Sequence, residues 1–557
     1  MRRVLLRLLG VAVFTWLEFV VFPGHTYLQA DTQLSVPMLE RLVNPGFLSR
    51  DLVAVHPNLQ YTVYDEATLF LHQAGVSIEN ALLAQQIACR AACMLGILLL
   101  SLSAGMTEVF ALLIAACVNL GANLTGPAVM LVEMESIPRA LAWGLIVLAI
   151  GLLAREKPLL TGLAAGFALI YSPTIAGPFW LLLIVVLIVD RRLRRLLRPT
   201  MTALGIFVLL LANLAQLQPG VADNQAFFSK ISASYAALQQ FRTPYQWVSL
   251  WTAGQLWSYL AIWVCGMWAI SRIWPALNRQ ARWFFIALPA CGVLSIPVSY
   301  LLLDRLHWSF IPQIEPTRWL LFAVCLSSVA CLIAGIRAAT ARKSWEGALW
   351  FLVALALPFR TEVLELLRLT RLDALERLAA AVLLACTLAL LLRADRKLMP
   401  VSLLTPLLAI ALLQLPRFEK ADEHQQQTVL DLAEWAKANT WGSSMFLFPD
   451  LGRSRAPGLF RARSERALWV DWNSGALVPY FQSFAAMWWD RWQQTMQDGY
   501  SVQRLGAALS QPIDYYVLTR ANRIEAIKPV FANEEFEVYD ANDLRNAPSP
   551  LRSVRRD

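Results

Sequence analysis

Charge is what this chain has least of. Asp, Glu, Lys and Arg make up 16% of its 557 residues, against about 25% in a soluble globular protein. That deficit excludes a soluble enzyme of ordinary composition, a disordered protein and a nucleic-acid binder. Cysteine is missing from the polar regions. All eight, Cys89, Cys93, Cys117, Cys265, Cys291, Cys325, Cys331 and Cys386, lie in apolar segments. Neither a disulfide framework nor a zinc site is therefore legible. There is no P-loop, Gly-rich dinucleotide fingerprint, His-Glu-x-x-His or Gly-x-Ser-x-Gly. No matching pair of broken helices marks an inverted-repeat transporter.

What is present is apolar length. Hydrophobic residues make up 57% of the chain, and mean hydropathy is +0.50. A helix needs about 20 apolar residues to cross a bilayer, which predicts about thirteen spans. They fall at 4–22, 82–101, 106–120, 138–154, 158–172, 174–190, 200–216, 249–271, 283–303, 318–336, 345–359, 376–392 and 399–415. Many of the 21 Trp stand near the ends of these runs, as an interfacial belt requires. The first span carries no good cleavage site, since Leu28-Gln29-Ala30 is a poor match, so an uncleaved anchor is expected.

Basic residues set the orientation. With Arg2 and Arg3 in the cytoplasm, the inward loops hold Arg155 and Lys157, then Arg191, Arg192, Arg194, Arg195 and Arg198. Arg272, Arg279 and Arg282 follow, then Arg337, Arg342 and Lys343, then Arg393, Arg396 and Lys397. Every long polar insertion then falls outside: 23–80, 217–248 and the tail 418–557. The tail opens on a helical pattern, Val429 to Ala436, followed by strand-like runs at 445–448, 467–470, 515–518 and 536–539. It reads as a domain-sized α/β unit after a membrane domain over 1–417. The fold class is thus an all-α polytopic membrane domain plus a C-terminal soluble α/β domain.

Three outward positions carry candidate chemistry. Asp31 stands just beyond the first span, where a carboxylate can act as a base on a hydroxyl acceptor. Asp51 and His56 are second choices in the same segment. Glu133 and Glu135, beside Pro138-Arg139, could hold a divalent cation such as Mg or Mn, or could be helix-start acids. Arg318 opens the tenth span, where its fork could meet a phosphate or simply snorkel. At membrane depth, Glu18, Arg90 and Glu108 need partners or a cavity.

This arrangement resembles the GT-C superfamily of polytopic membrane glycosyltransferases over nearly the whole chain. More closely, it is similar to a group of largely uncharacterised bacterial multi-span proteins. Their signature here is Asp31, Asn44-Pro45, Pro138-Arg139, Trp435 to Thr440, Phe446 to Pro449, and Arg461 to Asp471. One departure is Ser172-Pro173, where that group carries His-Pro. The resemblance implies transfer of a sugar from a polyprenyl-phosphate donor to an envelope acceptor on the outer face of a bacterial inner membrane. Asp31 would then be the base, Glu135 and Glu133 would hold a metal or orient the donor, and Arg318 and Arg139 would neutralise the donor phosphate. Two other readings stand beside it. One is a lipid-linked glycan transporter or flippase working through Arg90, Glu108 and Glu18. The other is a non-catalytic envelope protein whose outer domain binds a partner.

Overall fold

The computed structural model describes residues 2–20, 24–57, 59, 61–217, 228–356, 382–383, 385–390, 392, 423–497 and 499–546. Each of the first eleven predicted spans coincides with a helix. In chain order these are α1 (Arg2–Val20), α4 (Ile78–Ser103), α5 (Glu108–Asn119), α6 (Pro138–Ala154), α7 (Pro158–Tyr171), α8 (Pro173–Val189), α9 (Arg191–Leu217), α11 (Ala253–Ile273), α12 (Arg279–Ser299), α14 (Leu320–Thr340) and α15 (Ser344–Ala356). Residues 376–381, 384 and 391 of the predicted twelfth span, the whole thirteenth, residues Arg393, Arg396 and Lys397, and the 417/418 boundary lie outside the described residues.

Five of these helices are long and apolar enough to cross a membrane. Helices α5 to α8 are shorter, from 12 to 17 residues, or about 18–26 Å at 1.5 Å per residue. The basic run from Arg191, predicted as a loop, forms the first turns of α9 instead. Asp190 starts that helix by accepting the backbone N–H groups of Arg192 at 3.1 Å and Leu193 at 3.3 Å.

Helix α14 is buried nearly all round from Leu320 to Ala339, as an uninterrupted apolar sequence requires of a central helix. Helices α4 and α6 touch through their backbones. A Cβ at Gly144 would lie 2.1 Å from the Cys89 carbonyl oxygen, and one at Gly151 would lie 2.3 Å from that of Gly96. Only glycine permits that approach. At one end of the bundle the basic loops are laced together. Asn278 donates to the Ala154 carbonyl at 2.6 Å, Arg337 to that of Ala104 at 2.6 Å, and Arg279 pairs with Asp190.

The opposite end carries the long segments. The first is not an open loop: it holds α2 (Thr32–Val43) and α3 (Tyr64–Gln73). The second contains the hairpin β1 (Asn123–Leu124) and β2 (Val129–Met130). The third ends in α10 (Ala233–Arg242), and the stretch before α14 holds α13 (Phe310–Ile314).

The tail begins with α16 (Glu423–Asn439) and includes α17 (Ala456–Ser464) and α18 (Gln482–Thr495) around a five-stranded sheet. Its strands are β3 (Met445–Leu447), β4 (Ala467–Leu468), β5 (Tyr515–Thr519), β6 (Phe531–Ala532) and β7 (Phe536–Asp540), in the order β4-β3-β5-β7-β6. β3 runs parallel to β4 and β5, and β7 is antiparallel to β5 and β6.

Side chains alternate across this sheet. Phe446, Val517 and Val538 face a core with Val429 and Leu432 of α16. Met445, Leu447, Tyr516 and Leu518 share a second core with Leu34, Met38, Leu39, Leu52 and Val53 of the first segment. One face thus closes within the tail, and the other packs on further tail residues, among them Phe484 and Trp488, together with residues near the N-terminus.

A buried ionic knot fastens the two parts. Asp51 accepts from the N–H groups of Val53 and Ala54 at 3.0 Å each and from that of Leu468 at 3.0 Å. Arg461, 1% exposed, bonds Asp471 at 3.1 Å and the Gln33 carbonyl at 2.9 Å, with Asp51 at 3.9 Å. Without Asp51, three buried backbone N–H groups lose their acceptor and Arg461 loses one of its two carboxylates. Asp51→Ala should therefore destabilise the docked domain by about 3–5 kcal/mol, seen as faster proteolysis of the tail in the intact protein.

Glu40 lies in the same seam. Burial first, then the Glu465 carboxylate, push its carboxyl up to about 8. Between its ordinary value of 4.5 and about 8, the folded state keeps a proton that the unfolded chain releases. Its contribution to stability thus fades as pH rises through that window. Glu40→Gln should raise the melting temperature at pH 8 and leave it unchanged near pH 4.

Candidate active site

The site forms where α2, α6 and the turn before α14 meet the tail. Glu135, just ahead of α6, builds the first part. Its Oε1 accepts the N–H of Gln29 at 2.7 Å, the N–H of Ala30 at 2.8 Å and the Thr32 hydroxyl at 2.8 Å, and its Oε2 accepts the N–H of Thr32 at 3.0 Å. A carboxylate is suited to this task, because the first N–H groups of α2 have no partner inside the helix. The result is a fixed turn that presents Asp31. Leu28, in the left-handed region at φ 59°, starts it, and Gln33 closes it by donating to the Leu28 carbonyl at 2.7 Å.

Arg139 is the second part. Pro138 opens α6, a favoured first position, and Arg139 follows on the face turned to the first segment. Its Nη2 lies 2.8 Å from Asp31 Oδ2, and its Nε donates to Glu133 Oε1 at 2.9 Å. One guanidinium thus bridges two carboxylates. Glu133 also accepts from the Met130 N–H at 3.3 Å, which ties the β1–β2 hairpin to the site. The side chain of Asp31 remains 39% exposed, so the bridge does not seal it. Burial works to protonate Asp31, but Arg139, Arg318 and Arg455 outweigh it and hold the carboxyl below its ordinary value.

Arg318 is the third part. Helix α12 ends in a π-helical stretch, Tyr300–Arg305, a feature frequent beside functional sites. The chain then reaches Glu315 at φ 51°, a backbone state that costs a non-glycine residue about 1–3 kcal/mol. Glu315 accepts from Gln246 at 2.9 Å and pairs with Arg318. The Nε of Arg318 is buried and donates to nothing among the described residues. Tyr245, pushed up to about 12 by burial and then by Glu315, and Tyr480, also raised, complete this wall as neutral phenols.

The tail supplies the roof. Asn473 donates to the Ala30 carbonyl at 2.8 Å and Arg455 to that of Gln29 at 3.2 Å. Arg242 of α10 donates to the Trp472 carbonyl at 2.9 Å.

The structure therefore brings Asp31, Glu133, Arg139 and Arg318 into one electrostatic cluster, with Glu135 beneath it. Asp51 and His56 have other partners. Asp51 is spent on the knot described above. His56 bonds the Leu52 carbonyl at 2.8 Å and meets the edge of Phe484. Both belong to the seam between segment and domain. The metal expectation meets a physical obstacle, since the Glu135 oxygens already accept four hydrogen bonds. No group of three or more His, Cys, Asp or Glu side chains that could hold an ion occurs among the described residues.

Two of the three membrane-depth charges are pins, whereas the buried Glu18 carboxylate has no hydrogen-bond partner among the described residues. Arg90 donates to the carbonyls of Glu18 at 3.3 Å, Gly24 at 2.8 Å and Glu133 at 2.6 Å, and covers the Phe19 ring at 4.3 Å. Glu108 pairs with Arg7 of α1. Sequence reading missed Glu315, Tyr245, Tyr480, Arg455 and Asn473. A signal was available for Tyr245 and Arg455, in the aromatic and basic stretch Phe241–Trp247 and the run Arg453-Ser454-Arg455.

The fold defines a class: a helical polytopic membrane protein capped at one end by an α/β domain. No family model matches the chain, and no curated protein does. Among solved structures it is similar to ArnT from Cupriavidus metallidurans in the apo state, at 13% identity and a TM-score of 0.45, over 96% of this chain and 97% of that one. It is also similar to the arabinofuranosyltransferase AftD from Mycobacteria, at 14% identity and a TM-score of 0.40, over 97% of this chain and 42% of that one.

Glu135→Gln replaces one acceptor oxygen with an amino group facing N–H donors. Each hydrogen bond to a charged group is worth about 1.5–3 kcal/mol, so the variant should melt at lower temperature. Added Mg²⁺ or Mn²⁺ should leave the melting temperature of the wild type where it is.

Proposed function

We propose that this chain is an inverting glycosyltransferase of the GT-C type, transferring a sugar from a polyprenyl-phosphate donor to an envelope acceptor. The observation that carries this reading is the Asp31–Arg139–Glu133 bridge with Arg318 beside it. It brings together a carboxylate able to serve as a base and two guanidiniums suited to a phosphate. In our reading the basic end of the bundle faces the cytoplasm and the α/β domain the periplasm, as the positive-inside rule directs.

Asp31 takes the proton of the acceptor hydroxyl as its oxygen attacks the anomeric carbon of the donor. The bond from that carbon to the phosphate oxygen breaks, and its electron pair leaves with the polyprenyl phosphate. Charge grows on the leaving phosphate, where Arg318 and Arg139 oppose it. The paired state of Asp31 gives the steps an order. While Arg139 is bonded to Asp31, the carboxylate is a weak base. A donor phosphate that draws Arg139 toward itself weakens that hold, and Asp31 gains basicity when the substrate has arrived. No step requires a metal. The pinned state of Arg90 and Glu108 argues against a transport path built on those residues.

Asp31→Asn should still insert and bind a polyprenyl-phosphate lipid, while transfer falls by about 10²–10⁴-fold. Arg318→Ala should weaken donor binding itself. In the wild type, activity requires ionised Asp31 and is lost as pH falls. The acid limb of kcat/KM, which reports the free enzyme, should lie at lower pH than that of kcat. Arg139→Ala should move the kcat/KM limb upward. Transfer that survives Asp31→Asn undiminished removes Asp31 from the mechanism.

A further inference from the structure

Helix α10 and the tail carry a second basic group that the transfer step does not use. The guanidiniums of Arg242 and Arg453 each stand 4.5 Å from the ring centroid of Trp472. Arg453 also covers Phe241 at 5.6 Å. Arg242 is held by two carbonyls, those of Trp472 at 2.9 Å and Asn473 at 3.3 Å. Arg453 and Arg455 are both exposed, and neither is paired with a carboxylate among the described residues. Two like charges against one indole repel each other, and cation–π attraction at an exposed site is worth only about 0.5–1 kcal/mol. An anion lying between them removes the repulsion.

The topology places this group where a ligand is expected. Arg453 and Arg455 follow the C-terminal end of β3, and Trp472 follows that of its parallel neighbour β4. In open sheets with parallel strands, ligands bind in the crevice outside the carboxyl ends of the strands. Here those strand ends adjoin the Asp31 turn, where Asn473 donates to the Ala30 carbonyl. Arg455 bonds the Gln29 carbonyl within the Asp31 turn, and Arg242 and Arg455 both act on the Asp31 charge.

We propose that Arg242, Arg453 and Arg455 around Trp472 form a phosphate-binding site for the acceptor, distinct from the donor-phosphate site at Arg318 and Arg139. The word acceptor rests on the transferase reading; the anion site does not. A phosphate monoester fits, because guanidinium forks match its oxygens in pairs. It can come from a soluble sugar phosphate or from a lipid headgroup.

The test uses the full chain in phosphatidylcholine nanodiscs. Glucose 1-phosphate is titrated by calorimetry, and phosphatidic acid is added to the discs in a separate arm. The variants are Arg453→Gln combined with Arg455→Gln, Arg453→Lys, and Arg318→Ala as the donor-side control. Wild type should bind one probe or both, and which one it binds identifies the source of the phosphate. The double variant should bind it about tenfold or more weakly, as loss of a charged hydrogen bond predicts. Arg453→Lys should fall between them, and Arg318→Ala should bind as wild type does. The proposal is overturned if wild type binds neither probe, if the double variant binds as well as wild type, or if Arg318→Ala is the change that abolishes binding. The transferase reading fails separately, if polyprenyl-phosphate binding ignores Arg318 or transfer ignores Asp31.

Discussion

The candidate site depends on one carboxylate that takes no part in the chemistry proposed for it. Glu135 gathers three backbone N–H groups and a hydroxyl from residues 29–32. Those residues lead from the first span into α2, whereas Glu135 stands just ahead of α6. Without it, the first turn of α2 would leave N–H groups unsatisfied, and the position of Asp31 would vary with the loop. Beneath it, the glycine contact between α4 and α6 fixes where α6 begins. Close backbone packing in the membrane therefore sets the placement of a carboxylate outside it.

The α/β domain is part of this arrangement and not an appendage. Its sheet has two apolar faces: one is covered by its own helix α16, the other only in part by the tail, where Tyr516 donates to the Ala508 carbonyl. The other needs Leu34, Met38 and Leu39 of α2. Once that face is docked, the loops leaving β3 and β4 cannot avoid the Asp31 turn. The knot of Arg461 with Asp471 and the Gln33 carbonyl then ties the docking to the site. Buried ion pairs contribute little net stability, yet they are costly to break. They therefore suit a contact that must hold one register.

Much of the membrane architecture was legible in the sequence, because a bilayer admits few structures and long apolar runs declare themselves. Asp31, Arg139 and Arg318 were legible for a related reason: polar residues at the ends of such runs stand at a known depth. Helices α2 and α3 were not. Pro37 interrupts α2, and its apolar stripe faces a domain whose residues begin almost 400 positions later. That Glu135 serves the start of α2 was not legible, because its partners are backbone N–H groups, which no side-chain pattern encodes. Asn473 and Ala30, 443 positions apart, meet only through the docking of the sheet.

Arg139 gives the site its character, since it bonds two acids and leaves neither as a free base. A site built only to stabilise the fold has no need to keep 39% of the Asp31 side chain exposed, or to leave a buried Arg318 Nε without an acceptor among the described residues. Both features carry a cost in the absence of a ligand, because a buried donor without a partner forfeits hydration. An anion entering between Arg318 and Arg139 removes both costs at once. It satisfies the guanidinium and releases the carboxylate that Arg139 had held. In the proposed mechanism the guanidiniums that meet the phosphate and the carboxylate that takes the proton are coupled through a single side chain, a coupling that transfer requires and a packed ionic cluster does not.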